Sequence, residues 1–191
     1  MRLPCITDKL TIRIASVNGD SAQSAAQSGV LEIRALAGNE FDRESRLTNI
    51  VTFAGCVITG VRSNYNRNSG NKLATIPAAI WGDPVIGIGE DAFYEKPYVL
   101  EDHVTISEGI TFIEEGAFYN GIRSGIDRIT LPNSVIYIGA WAFPVNCKIH
   151  IGANVNIEYD PGLPSYNPWA RFARAYERNN KRGGEYEMTG W

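Results

Sequence analysis

The sequence predicts a β-rich repeat solenoid with short parallel strands, an irregular β N-terminal portion and a C-terminal capping helix. Two observations carry the repeat and a third carries the cap. Ala92-Phe93, Ala117-Phe118 and Ala142-Phe143 recur every 25 residues, with Ile88, Ile113 and Ile138 in the same phase ahead of them. A fixed period of that length marks units that cannot bury their own hydrophobic face and must stack to do so. The apolar runs leading into each pair are too short for helices and are bounded by Gly and Pro. Near the end of the chain Trp169, Phe172, Ala173 and Tyr176 fall at i, i+3, i+4 and i+7, one apolar helical stripe.

Residues 1–48 lack the repeat and read as an N-terminal cap or degenerate repeats, since terminal units of such arrays are atypical. Within them Lys9-Leu10-Thr11-Ile12-Arg13-Ile14-Ala15 and Val30-Leu31-Glu32-Ile33-Arg34-Ala35-Leu36 alternate apolar and polar, a half-buried strand pattern. The small polar stretch over residues 20–29 between them is a loop. Residues 49–158 form the repeat region. It opens with two strand-like runs over residues 50–62 and an Asn- and Ser-rich loop over residues 63–71.

Each repeat then has the same internal order. A first strand (Leu73 to Ile76, Asp102 to Ile106, Ile126 to Leu131) is closed by Pro77, Ser107 or Pro132. Proline cannot donate to a strand ladder and suits a strand end. A second short strand leads to Ile88, Ile113 or Ile138, and Gly89 and Gly139 are expected to permit the bend that follows. The Ala-Phe pair then points inward. Residues 145–157 read as one more coil that stops before such a pair. Residues 159–191 form the C-terminal cap: a turn-rich exit over 160–165, then Asn167 as helix cap and Pro168 at the first helical position.

These residues resemble a known family. The segments from Ile76-Pro77-Ala78-Ala79-Ile80 through Ile86-Gly87-Ile88-Gly89-Glu90-Asp91-Ala92-Phe93, and Leu131-Pro132-Asn133-Ser134-Val135-Ile136-Tyr137-Ile138-Gly139-Ala140-Trp141-Ala142-Phe143, look like BspA-like, treponemal-type bacterial leucine-rich repeats. Residues 176–191 are similar to the tail that follows such repeats in treponemal members, and the resemblance spans roughly residues 56–191. It departs at Ser107 and Glu114, where the pattern has proline and glycine. The resemblance implies a leucine-rich repeat stack and a non-catalytic, secreted or surface-associated protein that attaches to host or matrix proteins. It carries no catalytic residues to transfer.

Composition limits the alternatives. Hydrophobic residues make up 44% and charged residues 20% of the 191, a globular balance. The net charge of −3 provides no basic field for nucleic acid, so no nucleic-acid partner is expected. No apolar run approaches the length needed to span a bilayer, so no transmembrane segment is expected. The start, Met1-Arg2-Leu3-Pro4-Cys5, shows no apolar stretch after its charge, so no signal peptide is visible. The location implied by the resemblance is nonetheless extracellular, cell-surface or periplasmic. Cys5, Cys56 and Cys147 are odd in number, lack CxxC spacing and read as small buried thiols.

No catalytic residue, cofactor or metal site is expected. Gly87-Ile88-Gly89-Glu90-Asp91-Ala92 fits G-x-G-x-x-A, but a dinucleotide site needs a long helix next, and Pro97 and the following repeat arrive too soon. Asp102, His103 and Ser107 are neighbours in sequence, which does not converge a hydrolytic triad on a pocket. The acidic residues lack the D-x-D-x-D-G spacing of a calcium loop.

Two interaction features remain. Glu90, Asp91, Glu95, Glu101, Asp102, Glu108, Glu114 and Glu115 form an acidic stretch in which Lys96 is the only lysine or arginine, while Arg171, Arg174, Arg178, Lys181 and Arg182 make the C-terminal segment basic. Glu101, Asp102, Glu114 and Glu115 are therefore candidate contacts to a protein partner. Trp141, Trp169, Phe172 and Tyr176 gather near the repeat–cap junction, as partner contacts or, in the alternative reading, as a cleft for a small apolar ligand.

Overall fold

The computed structural model describes residues 10–13, 31–34, 51–54, 56–63, 65–66, 70, 72–80, 82–120 and 125–189. The chain divides into two compact units, Met1–Asn49 and Ile50–Trp191. In the first, β1 (Leu10–Arg13) and β2 (Leu31–Arg34) pair in parallel, Leu10 opposite Leu31. The rest of the expectation for residues 1–48, including the loop over 20–29 and Cys5, lies outside the described residues, as do parts of the loop over 63–71.

The second unit begins with an antiparallel pair, β3 (Val51–Ala54) and β4 (Val57–Val61). β5 (Leu73–Ile76) follows, then a small antiparallel hairpin of β6 (Ala79–Ile80) and β7 (Asp83–Pro84). From there the strands alternate between two sheets. β8 (Gly87–Ile88), β10 (Phe112–Ile113), β12 (Tyr137–Ile138) and β14 (Asn156–Ile157) extend β3–β4 into six strands, in the order β14-β12-β10-β8-β4-β3. β9 (Leu100–Ile106), β11 (Arg128–Thr130), β13 (Lys148–Ile151) and β15 (Gly184–Glu187) join β5 in a five-stranded sheet, β15-β13-β11-β9-β5.

The sequence period sets the register of the parallel strands. Gly87, Phe112 and Tyr137 stand side by side, as do Ile88, Ile113 and Ile138. The backbone between strands repeats too: Thr111 N–H donates to Ile86 O and Ile136 N–H to Thr111 O, both at 2.8 Å. Side chains tie layers where the backbone turns. The Glu108 carboxylate accepts from the N–H groups of Asn133 and Ser134, and Ser134 Oγ donates to Ile110 O at 2.8 Å. Ser107, where the other copies have proline, uses its N–H to reach Ile76 O at 3.0 Å.

Phe93, Phe118 and Phe143 form a stacked column in the core, with ring centroids 5.2 and 6.3 Å apart, each ring at most 1% exposed. The last ring is covered by α1 (Pro168–Arg178). Asn167 caps this helix by accepting from Ala170 N–H at 3.0 Å, and Pro168 follows where no N–H is needed. The stripe of Trp169, Phe172, Ala173 and Tyr176 is the buried face, Phe172 meeting Phe143 edge-on at 6.3 Å. β15 then returns antiparallel to β13 and ends that sheet.

Three expectations need correction. The fold is a mixed α/β arrangement of parallel and antiparallel strands with one helix among the described residues, not a β-rich repeat solenoid or leucine-rich repeat stack. The periodic frame occurs in only three copies, and what completes the core on either side of them is antiparallel strand and helix. A Cβ at Gly89 or Gly139 would be resisted, as expected, but neither glycine supplies a left-handed conformation to the bend. That conformation lies two residues later, at Asp91, Gly116 and Trp141. Gly139 is needed for room instead, since a Cβ there would lie 2.4 Å from the Glu115 amide nitrogen. Finally, Cys147 is a free buried thiol, but Cys56 is disulfide-bonded.

Two consequences are measurable. Phe118→Ala removes the ring stacked on both sides and should lower unfolding free energy by about 3–5 kcal/mol in urea titrations. Burial pushes the Cys147 thiol up to about 12 from an ordinary 9.0. The stability gained by keeping it protonated is thus whole below pH 9 and lost as pH rises toward 12. Just above the unfolded thiol's pKa, stability should fall by about 1.4 kcal/mol per pH unit from this group, and Cys147→Ala should remove that part of the slope.

Candidate functional site

The turns that follow β8, β10 and β12 present side chains in two adjacent columns. The left-handed residues Asp91 (φ 53°), Gly116 (φ 64°) and Trp141 (φ 53°) form one. Tyr94, Tyr119 and Pro144, each next to a buried Phe, occupy the matching places in the other. Pro144 has no aromatic ring to continue the tyrosine column, and Trp141 fills that role from the neighbouring one. Tyr94 stacks on Tyr119 at 5.7 Å, Trp141 meets Tyr119 edge-on at 5.8 Å, and Trp169 stacks on Trp141 at 6.5 Å.

The row therefore runs from the surface into the core. Tyr94 is 37% exposed, Tyr119 and Trp141 are half-buried, and Trp169 is fully buried. A left-handed conformation costs a bulky residue about 1–2 kcal/mol, and Trp141 holds it between Tyr119 and Trp169. At Gly116 the bare Cα leaves space for its neighbours: a Cβ there would lie 2.1 Å from Asp91 Oδ1 and 3.8 Å from the Tyr94 ring.

Carboxylates surround the row. Asp91, Glu95 and Glu115 are exposed and Glu114 is half-buried. Glu114, standing where the other copies have glycine, turns its Oε2 back to accept from Glu90 N–H at 3.1 Å. Glu95 raises the Tyr94 phenol above its ordinary range, with smaller contributions from burial, Tyr119 and Asp91. The Tyr137 hydroxyl donates to Glu158, and chiefly for that reason its pKa is pushed up to about 12, with burial, Glu114 and Glu115 adding to it. Lys96, the only lysine or arginine over residues 82–120, directs its Nζ to Tyr94 O at 3.4 Å.

The residues proposed from the sequence divide among three places. Trp141, Glu114 and Glu115 belong to the turn surface. Glu101 and Asp102 lie in β9 of the five-stranded sheet, away from those turns, with Asp102 exposed beside His103. Trp169, Phe172 and Tyr176 are core residues. Trp169 Nε1 donates to Glu158 O at 2.8 Å, and Tyr176 Oη donates to Gly152 O at 2.7 Å while accepting from Val155 N–H at 3.0 Å. Those rings close the end of the core, so only Trp141 of the four is left for a ligand to touch.

Sequence reasoning missed Tyr94 and Tyr119. Their signal was available, since each directly follows an Ala-Phe pair. The Gly87 motif does not open a helix: Gly87 lies in a strand, where a Cβ would collide with the Phe112 ring at 2.1 Å, and turns follow. Glu108, counted in the acidic stretch, is engaged between layers. The C-terminal charges are partly engaged as well, with Arg174 Nη2 donating to Pro161 O and Leu163 O. No helix among the described residues is long and apolar enough to cross a membrane.

Family models, curated proteins and solved structures were compared with this chain, and none matches it.

Gly116→Ala tests the turn geometry. A Cβ at this left-handed position is strained and meets the Asp91 carboxylate. The substitution should lower stability by about 1–2 kcal/mol in chemical denaturation.

Proposed function

We propose that this chain is a non-catalytic protein-interaction module, and that Tyr94, Tyr119 and Trp141 are its contact row. The observation that carries this reading is the half-open aromatic row. The phenylalanine column satisfies the core, whereas these three rings spend part of their surface at the boundary with water. Tyrosine and tryptophan bring large contact area with little rotamer entropy to lose, which is why they concentrate at interaction hot spots. The row is fixed by stacking and by interlayer backbone bonds such as Glu95 N–H to Tyr119 O at 2.9 Å.

The partner class we propose is a matrix or host-surface protein, as the resemblance to BspA-like repeats implies, with the chain at an extracellular, cell-surface or periplasmic location. The disulfide at Cys56 supports an oxidising compartment. Surface binding of the purified protein to a panel of matrix proteins tests the function. At least one should bind, and Tyr119→Ala should weaken it by about tenfold or more, as for an interaction hot spot; uniform failure to bind would sink the adhesion reading. Thiol titration of the unreduced, denatured chain tests the compartment argument. Mapped by peptide, Cys147 should react before reduction and Cys56 only after it.

A further inference from the structure

We infer that the Tyr94–Tyr119–Trp141 row, flanked by Asp91, Glu95 and Glu115, recognises an extended segment of a partner protein bearing lysine or arginine at alternate positions. This rests on the reading of the row as the contact surface. Three features of that surface select a cation over other apolar or charged ligands.

The first is ring chemistry. Ammonium and guanidinium groups are attracted to the faces of Trp and Tyr, and guanidinium stacks on them. The second is charge. Asp91, Glu95 and Glu115 are exposed beside the rings, and Lys96, the only lysine or arginine of residues 82–120, points its ammonium to the Tyr94 carbonyl. Among the described residues the ion pair formed is Arg128 with Glu185, on the other sheet, so it does not neutralise these carboxylates. Glu95 and Asp91 act on the Tyr94 hydroxyl itself, so the negative field of these carboxylates reaches the row. An anionic or purely apolar segment would meet repulsion or leave the carboxylates desolvated without a partner.

The third is spacing. Successive rings of the row are 5.7 and 5.8 Å apart. Alternate residues of an extended chain point to the same side at intervals of roughly 6.6–6.8 Å. A cationic side chain at every second position therefore stays within about 1 Å per step of the ring spacing, a mismatch that long flexible Lys and Arg stems absorb over three rings. The intervening side chains face away, so they can be small and polar.

The experiment uses the full chain and a fluorescent Arg-Ser repeat peptide of about ten residues, long enough at extended rise to span the row. The peptide with citrulline in place of arginine, and one with glutamate, serve as controls. Binding is read by anisotropy and by quenching of tryptophan emission. The arginine peptide should bind and both controls should fail. Tyr94→Ala, at an exposed ring, should weaken binding several-fold. Trp141→Gly should weaken it about tenfold or more; this variant places at 141 the residue type that Gly116 holds at the same turn position, so it relieves a left-handed side chain, and its far-UV spectrum should match the wild type. Asp91→Asn, Glu95→Gln and Glu115→Gln together should cost about tenfold. Glu101→Gln, Asp102→Asn and Asp127→Asn, removing equal charge from β9 and from the residue just before β11 of the other sheet, should leave binding within about twofold.

Equal loss from the two triple variants would mean diffuse electrostatics and would overturn the proposal, as would wild-type binding by Tyr94→Ala and Trp141→Gly. The outcomes separate this inference from the broader one. If a matrix protein binds through Trp141 while the arginine peptide does not bind, the interaction reading stands and the cation preference fails. If the peptide binds through the row while no matrix protein does, the cation preference stands and adhesion fails.

Discussion

Each of the three repeating layers of the larger unit has a phenylalanine that it cannot cover. A short loop with two strands of two to seven residues encloses too little volume to keep a benzyl ring dry. Phe93, Phe118 and Phe143 are each buried by the layer on either side, and the ends of the column need outside help. That requirement accounts for much of the rest. It fixes the register of the parallel strands, since a slip by one residue would turn each isoleucine outward and break the column. It also calls for Trp169 and Phe172 at the C-terminal end, delivered by a helix capped by Asn167 so that its apolar stripe faces the last ring. Stability here is cooperative in a literal sense, because no layer is a complete core.

The surface row is a by-product of the same geometry. Tyr94 and Tyr119, each one position after a buried phenylalanine, stand at the same height in their layers, so their rings also stack. The difference is that nothing covers them on the outer side. A column inside the protein and a row on its rim share nearly one spacing, yet only the first is wholly buried. Selection on the rim can therefore act on ring identity and nearby charge with little penalty to the core, provided that the turn keeps its left-handed residue. Trp141 shows how far this can go: a side chain disfavoured by its own backbone is held by two neighbouring rings.

Much of this was legible in the sequence, for definable reasons. The phase of Ile88, Ile113 and Ile138 foretold strands that pair side by side, because burial and period express the same constraint. The helix at Pro168 was legible because capping is local: Asn167 and Pro168 need no distant partner to act. The uniform repeat class was not correct, because periodicity describes the middle of an array and says little about what ends it. Antiparallel closure by β15 depends on Tyr186 opposite Ile149, a contact between residues far apart in the chain. The glycines misled for a related reason. Gly139 reads as a bend, whereas its role is set by the Glu115 amide in the preceding layer, which no local pattern reports. Of the candidate site, tryptophan and carboxylates drew notice by rarity and charge, while Tyr94 and Tyr119 sat unremarked beside a louder motif.

The way the five-stranded sheet ends has an evolutionary consequence. β15 runs against its neighbour and the helix seals the last ring, so a further 25-residue copy appended after them would find that sheet closed by an antiparallel strand and no open phenylalanine. Beyond that end, duplication can lengthen the unit by inserting a copy between existing ones. Each such insertion would add one rung to the rim as well as one ring to the column. Lineages that gained or lost a copy would thus present a longer or shorter ruler to whatever they hold, and the length of the bound segment would be inherited as a copy number.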